Sequence, residues 1–317
     1  MMKLKLSLAL ICMALLGTAC DRTERAEKTV LMAPEGLFSA DLTGHYALVG
    51  TTAGPAELWR LKPKSLLHSW EHTETQNGII QTAISADERF AVTAERDSLA
   101  WWRTSDGALL NVWSLPNINI VRLSHDGRYA LIGLNDKAVY FALAYGKTLY
   151  AFPHESAVQA ADLSLNGRYA LTGSEDNSAK LWDLTTGKLK YDWRHQNKLA
   201  TVALSGDGQY ALTNAALSQT HLWEISTGKL YKDIGPKLLT LSAARFSTNG
   251  KYLATGRTSQ RIDLWETKTG QLIKYWRPQK AGKWRPSAAT ILALAFAQND
   301  KEIISIAANG FLQQWRR

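Results

Sequence analysis

Apolar and polar residues alternate over short stretches of residues 156–193, and turn residues separate these stretches. Alternation with a period of two predicts β-strands, and no apolar stripe of helical period crosses the segment. Four strands are predicted, at 157–164, 169–172, 178–184 and 188–193, with turns at 165–168 and 185–187. One such antiparallel sheet cannot bury both of its faces alone, so it requires neighbours.

The same pattern recurs along the chain. An aromatic residue in the third strand returns at intervals of 39 to 50 residues, and a second apolar marker precedes it by 12 or 13 residues. The third-strand markers are Trp59, Trp102, Phe141, Trp182, Trp223, Trp265 and Trp315. The second-strand markers are Tyr46, Phe90, Tyr129, Tyr169, Tyr210, Tyr252 and Ile303. Self-similarity at this period, with four strands per unit, is typical of a β-propeller.

The unit at 156–193 resembles the WD40 repeat, because Trp182 and Asp183 match the closing dipeptide of that family. The resemblance implies an all-β, seven-bladed propeller of four-stranded antiparallel blades. It also implies a buried hydrogen-bond network at His154, Ser174, Asp176 and Trp182. The other units are degenerate: His195 fits the histidine position, but its unit has no matching aspartate.

The predicted blades span 36–70, 79–113, 118–152, 156–193, 198–234, 239–276 and 289–317. The last unit has no fourth strand, and we expect Thr29–Met32 to supply it. This closure would join the chain ends and protect an open sheet edge. By the topology of the WD40 family, the preceding segment would then enter on the side of the third-to-fourth turns, and the connections between blades would face away from it.

Residues 1–19 differ in kind from the rest. Lys3 and Lys5 precede an apolar run at 6–16, which is too short to span a bilayer and is typical of an export signal. The small residues before Cys20 resemble a bacterial lipoprotein signal, which implies cleavage after residue 19 and lipidation of Cys20. Ordinary secretion is the alternative. Residues 20–28 would form a charged tether, and 29–317 the propeller.

The predicted location is the bacterial cell envelope, with a lipid anchor and a periplasm-facing propeller. Asp21 resembles the inner-membrane retention signal of enterobacterial lipoproteins, which favours the inner membrane. Cys12 and Cys20 are the only cysteines. The mature chain would therefore have no thiol for a disulfide, a zinc site or a nucleophile.

The net charge of +9 is spread over many units and contains no basic run. This distribution is typical of a solvated surface and gives no reason to expect nucleic-acid binding. Attraction to an acidic partner or to anionic lipid headgroups is the alternative.

The widest marker interval contains a long loop at 277–287, and long loops on rigid scaffolds often carry function. Trp and Arg are residue types that are enriched in binding hot spots, and the basic residues of the loop can pair with acidic groups of a partner. The candidate partner contacts are Arg277, Lys280, Lys283, Trp284 and Arg285. Alternatively, Trp284 covers the junction of blades six and seven. His72 and Glu74 lie in a second loop, but two ligands do not make a metal site.

The first strands should line an axial channel. Asp41, Arg122, Asp162 and Arg245 occupy equivalent positions there, and a structural Arg122–Asp162 ion pair is expected, with a channel ligand site as the alternative. No phosphate-binding glycine loop or Gly-x-Ser-x-Gly frame is present, and the histidines do not cluster.

These features predict a monomeric, non-enzymatic interaction scaffold that needs no cofactor or metal and binds a protein partner in the envelope. One alternative is a propeller enzyme or metal-dependent hydrolase that uses Asp41 and Asp162 in the channel. Another alternative is a sensor for a small ligand or glycan that uses exposed Trp residues.

Overall fold

The computed structural model describes residues 24–51, 54–72, 78–280 and 289–317. Within these ranges, the strands form seven four-stranded antiparallel sheets, which are the blades of a propeller ring. The described residues contain no α-helix, and a single 3₁₀ turn lies at Leu143–Tyr145. The seven-bladed, all-β architecture predicted from the repeats is therefore confirmed.

The strands of each blade follow one another in sequence, from the axis outward. Blade 1 contains β2 (Leu37–Leu42), β3 (Tyr46–Thr51), β4 (Ala56–Leu61) and β5 (Lys64–Trp70). Blade 2 contains β6 (Gln81–Ile84), β7 (Phe90–Ala94), β8 (Ser98–Arg103) and β9 (Leu109–Ser114). Blade 3 contains β10 (Ile120–Leu123), β11 (Tyr129–Gly133), β12 (Lys137–Ala142) and β13 (Lys147–Pro153). Blade 4 contains β14 (Val158–Leu163), β15 (Tyr169–Ser174), β16 (Ser178–Asp183) and β17 (Lys188–Arg194).

The later blades repeat this order, and the last one includes the first strand of the chain. Blade 5 contains β18 (Leu199–Leu204), β19 (Tyr210–Ala215), β20 (Ser218–Glu224) and β21 (Leu230–Leu239). Blade 6 contains β22 (Leu241–Phe246), β23 (Tyr252–Arg257), β24 (Ile262–Glu266) and β25 (Leu272–Trp276). Blade 7 contains β26 (Ile291–Ala297), β27 (Glu302–Ala307), β28 (Phe311–Arg316) and β1 (Lys28–Leu31).

In blades 2 to 6, a serine closes the turn between the first two strands. In blade 4, Ser164 Oγ donates to Asn166 Oδ1 at 2.7 Å and accepts from the backbone N–H of Tyr169 at 2.9 Å. Short Ser, Asn and Asp side chains favour turns because they satisfy backbone groups that a strand ladder leaves free. The same arrangement closes the turns that follow Ser85, Ser124, Ser205 and Ser247.

The predicted closure by an N-terminal strand is confirmed. β1 pairs with β28 in an antiparallel register that runs from Lys28 opposite Gln314 to Leu31 opposite Phe311. The backbone N–H of Met32 extends this pairing by donating to the carbonyl of Gly310 at 2.8 Å. The chain ends therefore share one sheet, which completes the ring.

The core between blades is built on the third-strand markers. Each marker packs against the outer strand of the preceding blade: Trp102 stacks on Trp70 with ring centroids 5.0 Å apart, and Trp223 stacks on Trp193 at 4.8 Å. Such aromatic pairs contribute about 0.5–1.5 kcal/mol each beyond their burial. The periodic aromatic residue thus marks a contact between neighbouring blades.

One outer strand is longer than the sequence predicts. β21 continues to Leu239, beyond residue 234, which is the predicted end of blade 5. A register shift between β20 and β21 accommodates the extra residues and places Ser218 opposite Leu239. Gly235 and Pro236 lie within this stretch and hide the strand pattern in the sequence.

Candidate functional site: the inter-blade face and the axial channel

The two faces of the ring carry different connections. The inter-blade face is formed by the connections between blades, such as 154–157, and by the second-to-third turns, such as 175–177. The turn face is formed by the remaining turns, such as 165–168 and 185–187. Because consecutive strands are antiparallel, every blade presents its connections in this way.

A buried chain of hydrogen bonds links the strands of blade 4 to its inter-blade connection. The Trp182 indole N–H donates to Thr172 Oγ1 at 2.9 Å, and this oxygen lies 2.8 Å from His154 Nε2. His154 Nδ1 lies 3.0 Å from Asp176 Oδ2. A carboxylate only accepts, so Nδ1 carries the proton and Nε2 accepts from the Thr172 hydroxyl.

Thr172, and not Ser174, is the hydroxyl in the centre of this network, so the sequence-based assignment of Ser174 is wrong. Ser174 Oγ donates to the carbonyl of Ser156 at 2.9 Å and accepts from the backbone N–H of Asp176 at 3.1 Å. Residues 172 and 174 share one side of β15, because side chains alternate along a strand. The register pairs Ala170 with Trp182, which leaves Thr172 as the nearer diagonal neighbour of the indole.

The network stabilises the Asp176 carboxylate as a charge. Burial alone would raise the pKa of Asp176, but hydrogen bonds from Ser178, from the backbone N–H of Glu155 and from His154 lower it to about 2. Burial also lowers the pKa of His154, and its hydrogen bond and attraction to Asp176 oppose that effect only in part. The pair therefore holds a neutral imidazole against a charged carboxylate in a structural role.

Blade 2 contains a second network that the sequence analysis missed. His72 Nε2 lies 2.5 Å from Thr93 Oγ1, and His72 Nδ1 lies 2.9 Å from Ser98 Oγ. Thr93 Oγ1 accepts a hydrogen bond from Trp102 Nε1 at 2.8 Å. Both ring nitrogens of His72 thus have partners. Glu74, weighed with His72 as a metal ligand, lies outside the described residues.

The histidines of the blade networks share one spacing in the sequence. The network histidines follow the last inward aromatic residue of the preceding outer strand by two positions, a spacing shared by His72, His154 and His195. That spacing is the signal that identifies His72.

Within the part of the chain that the structure describes, no three His, Cys, Asp or Glu side chains are grouped as metal ligands.

Blade 5 has only part of the network. Trp223 Nε1 donates to Thr213 Oγ1 at 2.7 Å, but buried His195 Nε2 has no hydrogen-bond partner among the described residues. Burial, with a smaller contribution from His221, lowers the pKa of His195 to about 4. The imidazole therefore stays neutral in the folded chain at neutral pH.

The channel carboxylates bond to the backbone of the next blade. Asp41 Oδ2 accepts from the N–H of Ile84 at 2.8 Å, and Asp162 Oδ2 accepts from the N–H of Leu204 at 2.7 Å. The expected Arg122–Asp162 ion pair does not form within 4 Å. Asp162 turns toward blade 5, away from blade 3, and Arg122 Nη1 donates to the carbonyl of Val121 at 2.9 Å.

The structure describes only the first part of the candidate contact loop. Arg277 and Lys280 are exposed on the inter-blade face, while Pro278 between them is buried. Gln279 fixes this stretch, because its N–H donates to Gln313 Oε1 at 2.9 Å and its carbonyl accepts from Asn309 Nδ2 at 3.0 Å. The other candidates, Lys283, Trp284 and Arg285, lie outside the described residues.

The inter-blade face also exposes large apolar side chains that sequence reasoning did not single out. Phe38, in the inner strand of blade 1, is 53% exposed, and Leu217 and Leu238, in blade 5, are 66% and 78% exposed. Leu217 and Leu238 both have positive φ, at 49° and 59°. That conformation is uncommon for residues other than glycine, asparagine and aspartate, and it clusters at functional sites.

The proposed lipidation site, Cys20, lies outside the described residues. The described chain begins at Glu24, whose carboxylate pairs with Lys274 Nζ, and Glu27 pairs with Arg316 Nη1 at 3.9 Å. Arg316 ends the third strand of blade 7, so the chain enters the ring from the turn face. None of the described residues belongs to a helix long and apolar enough to cross a bilayer.

These features define the chain as a seven-bladed β-propeller with at least one complete blade network of buried His, Thr, Asp and Trp. The model of the family described as WD domain, G-beta repeat matches residues 146–183. This match contains the whole network of blade 4, so residues 146–183 are similar to the WD40 repeat. No curated protein matches the chain.

Proposed function

We propose that this protein is a membrane-tethered envelope lipoprotein whose WD40 propeller acts as a non-enzymatic scaffold for a protein partner. WD40 propellers are commonly protein-interaction scaffolds. The observation that carries the proposal is the composition of the inter-blade face, where exposed Phe38, Leu217 and Leu238 accompany exposed Arg277 and Lys280. Aromatic and arginine side chains are the types that dominate binding energy at protein interfaces.

The scaffold around these side chains is rigid, which favours binding without a large ordering cost. The long loop leaves the ring beside fully buried Trp276 and returns beside fully buried Ala289. Gln279 adds two hydrogen bonds to blade 7. Arg277 and Lys280 are therefore presented from a fixed base.

The side on which the chain enters supports the proposed anchor. Lipidation of Cys20 would tether the protein just before Glu24, and the described chain, which begins at Glu24, enters the ring at its turn face. The inter-blade face would then point away from the membrane, toward a partner. Asp21 favours retention in the inner membrane.

Crosslinking in living cells tests the scaffold. The full chain is compared with an Arg277→Ala/Lys280→Ala variant and with a control that removes two exposed turn-face lysines, Lys188→Ala/Lys229→Ala. We expect one specific partner to be captured by the full chain and by the control, and to be lost from the first variant. Equal capture by both variants would contradict the assignment of the inter-blade face.

A separate measurement tests the anchor. Cys20→Ser removes the only cysteine at the proposed cleavage site, so the variant should leave the membrane fraction, and the mature wild-type chain should carry the mass of attached acyl groups. A wild-type protein without that added mass would refute lipidation and leave the scaffold proposal standing.

A further inference from the structure

Two arginines in the axial channel have few partners of their own. Arg122 donates to the carbonyl of Val121, and Arg245 makes no hydrogen bond or ion pair within 4 Å among the described residues. Both residues are only partly exposed. A guanidinium has five N–H donors, so most of the donors of this pair are not satisfied by the protein.

The channel carboxylates do not use these donors. Asp41 and Asp162 each bond to a backbone N–H of the following blade. Burial raises the pKa of Asp162, and the nearby charges of Arg245 and Arg122 lower it only in part. Burial thus disfavours the negative charge of Asp162, and the carboxylate of Asp41 is already held by the N–H of Ile84.

The space beside the arginines suits a small ligand. The channel cavity has a volume of about 110 Å³, and its charged lining residues are Arg122, Arg245, Asp41 and Asp162. Small residues such as Ala161 and Ala244 complete the lining. Liquid water occupies about 30 Å³ per molecule, so the cavity holds a few waters or one small anion. Arg245 also borders a second cavity of about 190 Å³, which lies toward the turn face and is lined by Thr43.

We propose that the axial channel binds one small oxyanion, a phosphate or a short carboxylate, through the guanidiniums of Arg122 and Arg245. The planar fork of a guanidinium matches the two oxygens of such an ion, and charge-assisted hydrogen bonds are the stronger ones. The alanines around the arginines leave the room that larger side chains would fill. The site lies on the ring axis, apart from the partner contacts on the inter-blade face.

Calorimetric titration of the full chain tests the site, with inorganic phosphate and succinate as separate probes and sodium chloride at matched ionic strength as the blank. We expect saturable binding of at least one probe. Arg122→Ala and Arg245→Ala should each weaken it about tenfold or more, because each removes a charge-assisted contact. Preference for phosphate or for succinate identifies the source of the oxyanion.

The control variant is Arg168→Ala, which removes an arginine that stacks over Tyr169 on the turn face. This variant should bind the probe as the wild type does. Arg245→Lys keeps the positive charge but removes the planar guanidinium. Circular dichroism checks that this variant folds. A loss of binding in a folded Arg245→Lys chain supports the site even if the alanine variants fail to fold. Binding that no chain shows, or that persists in both channel variants, would overturn the proposal.

Discussion

Thr172→Val is the most direct test of the blade 4 network. Valine has nearly the shape of threonine, so the substitution removes the hydroxyl without opening a cavity. Two buried groups then lose their partner, the Trp182 indole N–H and His154 Nε2. Each buried polar group left unsatisfied costs about 1–3 kcal/mol, so we expect the free energy of unfolding to fall by about 2–6 kcal/mol.

Thr213→Val in blade 5 is the matched control. Thr213 occupies the equivalent position and is equally buried, but its hydroxyl accepts only from Trp223 Nε1, because His195 is not bonded to it. The control should therefore cost about 1–3 kcal/mol. The difference between the two variants isolates the bond to His154.

The assay is urea denaturation followed by circular dichroism, with the midpoint and slope measured for both variants and the wild type. A larger midpoint shift for Thr172→Val, with an unchanged slope, reports a change in stability. Equal shifts for the two variants would refute the reasoning, because His154 would then contribute nothing through Thr172.

Three further substitutions test other parts of the ring. At Gly310, with φ of +84°, an added Cβ would lie 1.9 Å from the carbonyl oxygen of Ala33, whereas at Gly167, with φ of +70°, it would meet nothing within 4 Å. Gly310→Ala should therefore lower the Tm by several degrees more than Gly167→Ala, and equal shifts would contradict the importance of strand closure. The His195 pKa is about 4 in the folded chain against 6.5 ordinarily, so the unfolded chain binds the proton more tightly. As the pH falls from 6.5 to 4, His195 should lower the stability by up to about 1.4 kcal/mol per pH unit, and His72, whose pKa burial also lowers to about 4, acts in the same direction. His195→Leu should therefore reduce the slope in a pH series of urea unfolding by this share, and an unchanged slope would exclude a contribution from His195. Asp263 is fully buried and accepts hydrogen bonds from two arginines, so Asp263→Asn should cost about 3–5 kcal/mol in urea unfolding, and a loss below about 1 kcal/mol would contradict that.

The contacts between blades have a regular spacing in the sequence that the search for strand patterns did not use. In the first six blades, the outer-strand residue that packs on the next blade lies eleven positions after the third-strand marker, as Trp70 follows Trp59 and Trp193 follows Trp182. The spacing is regular because the blades are copies of one unit. A search for pairs of markers in adjacent units would have found these contacts.

The two corrections in the network and the channel have a different origin. Ser174 and Thr172 differ by one strand period and share a side of β15, so spacing alone cannot tell which one reaches Trp182. Arg122 and Asp162 occupy equivalent positions in adjacent blades, and these positions predicted an ion pair between them. The Asp162 carboxylate instead bonds to Leu204 in the blade on its other side.

The number of blades, their four-stranded pattern and the closing strand could be predicted from the sequence, because strand periodicity and repeat length can be read along the chain. The sequence does not show which atoms meet, since partners such as Asp162 and Leu204 are 42 positions apart and their contact depends on how the blades pack. The exposure of Phe38 and Leu238 also becomes visible only in the folded ring, because the strand pattern does not show whether another element covers an apolar residue.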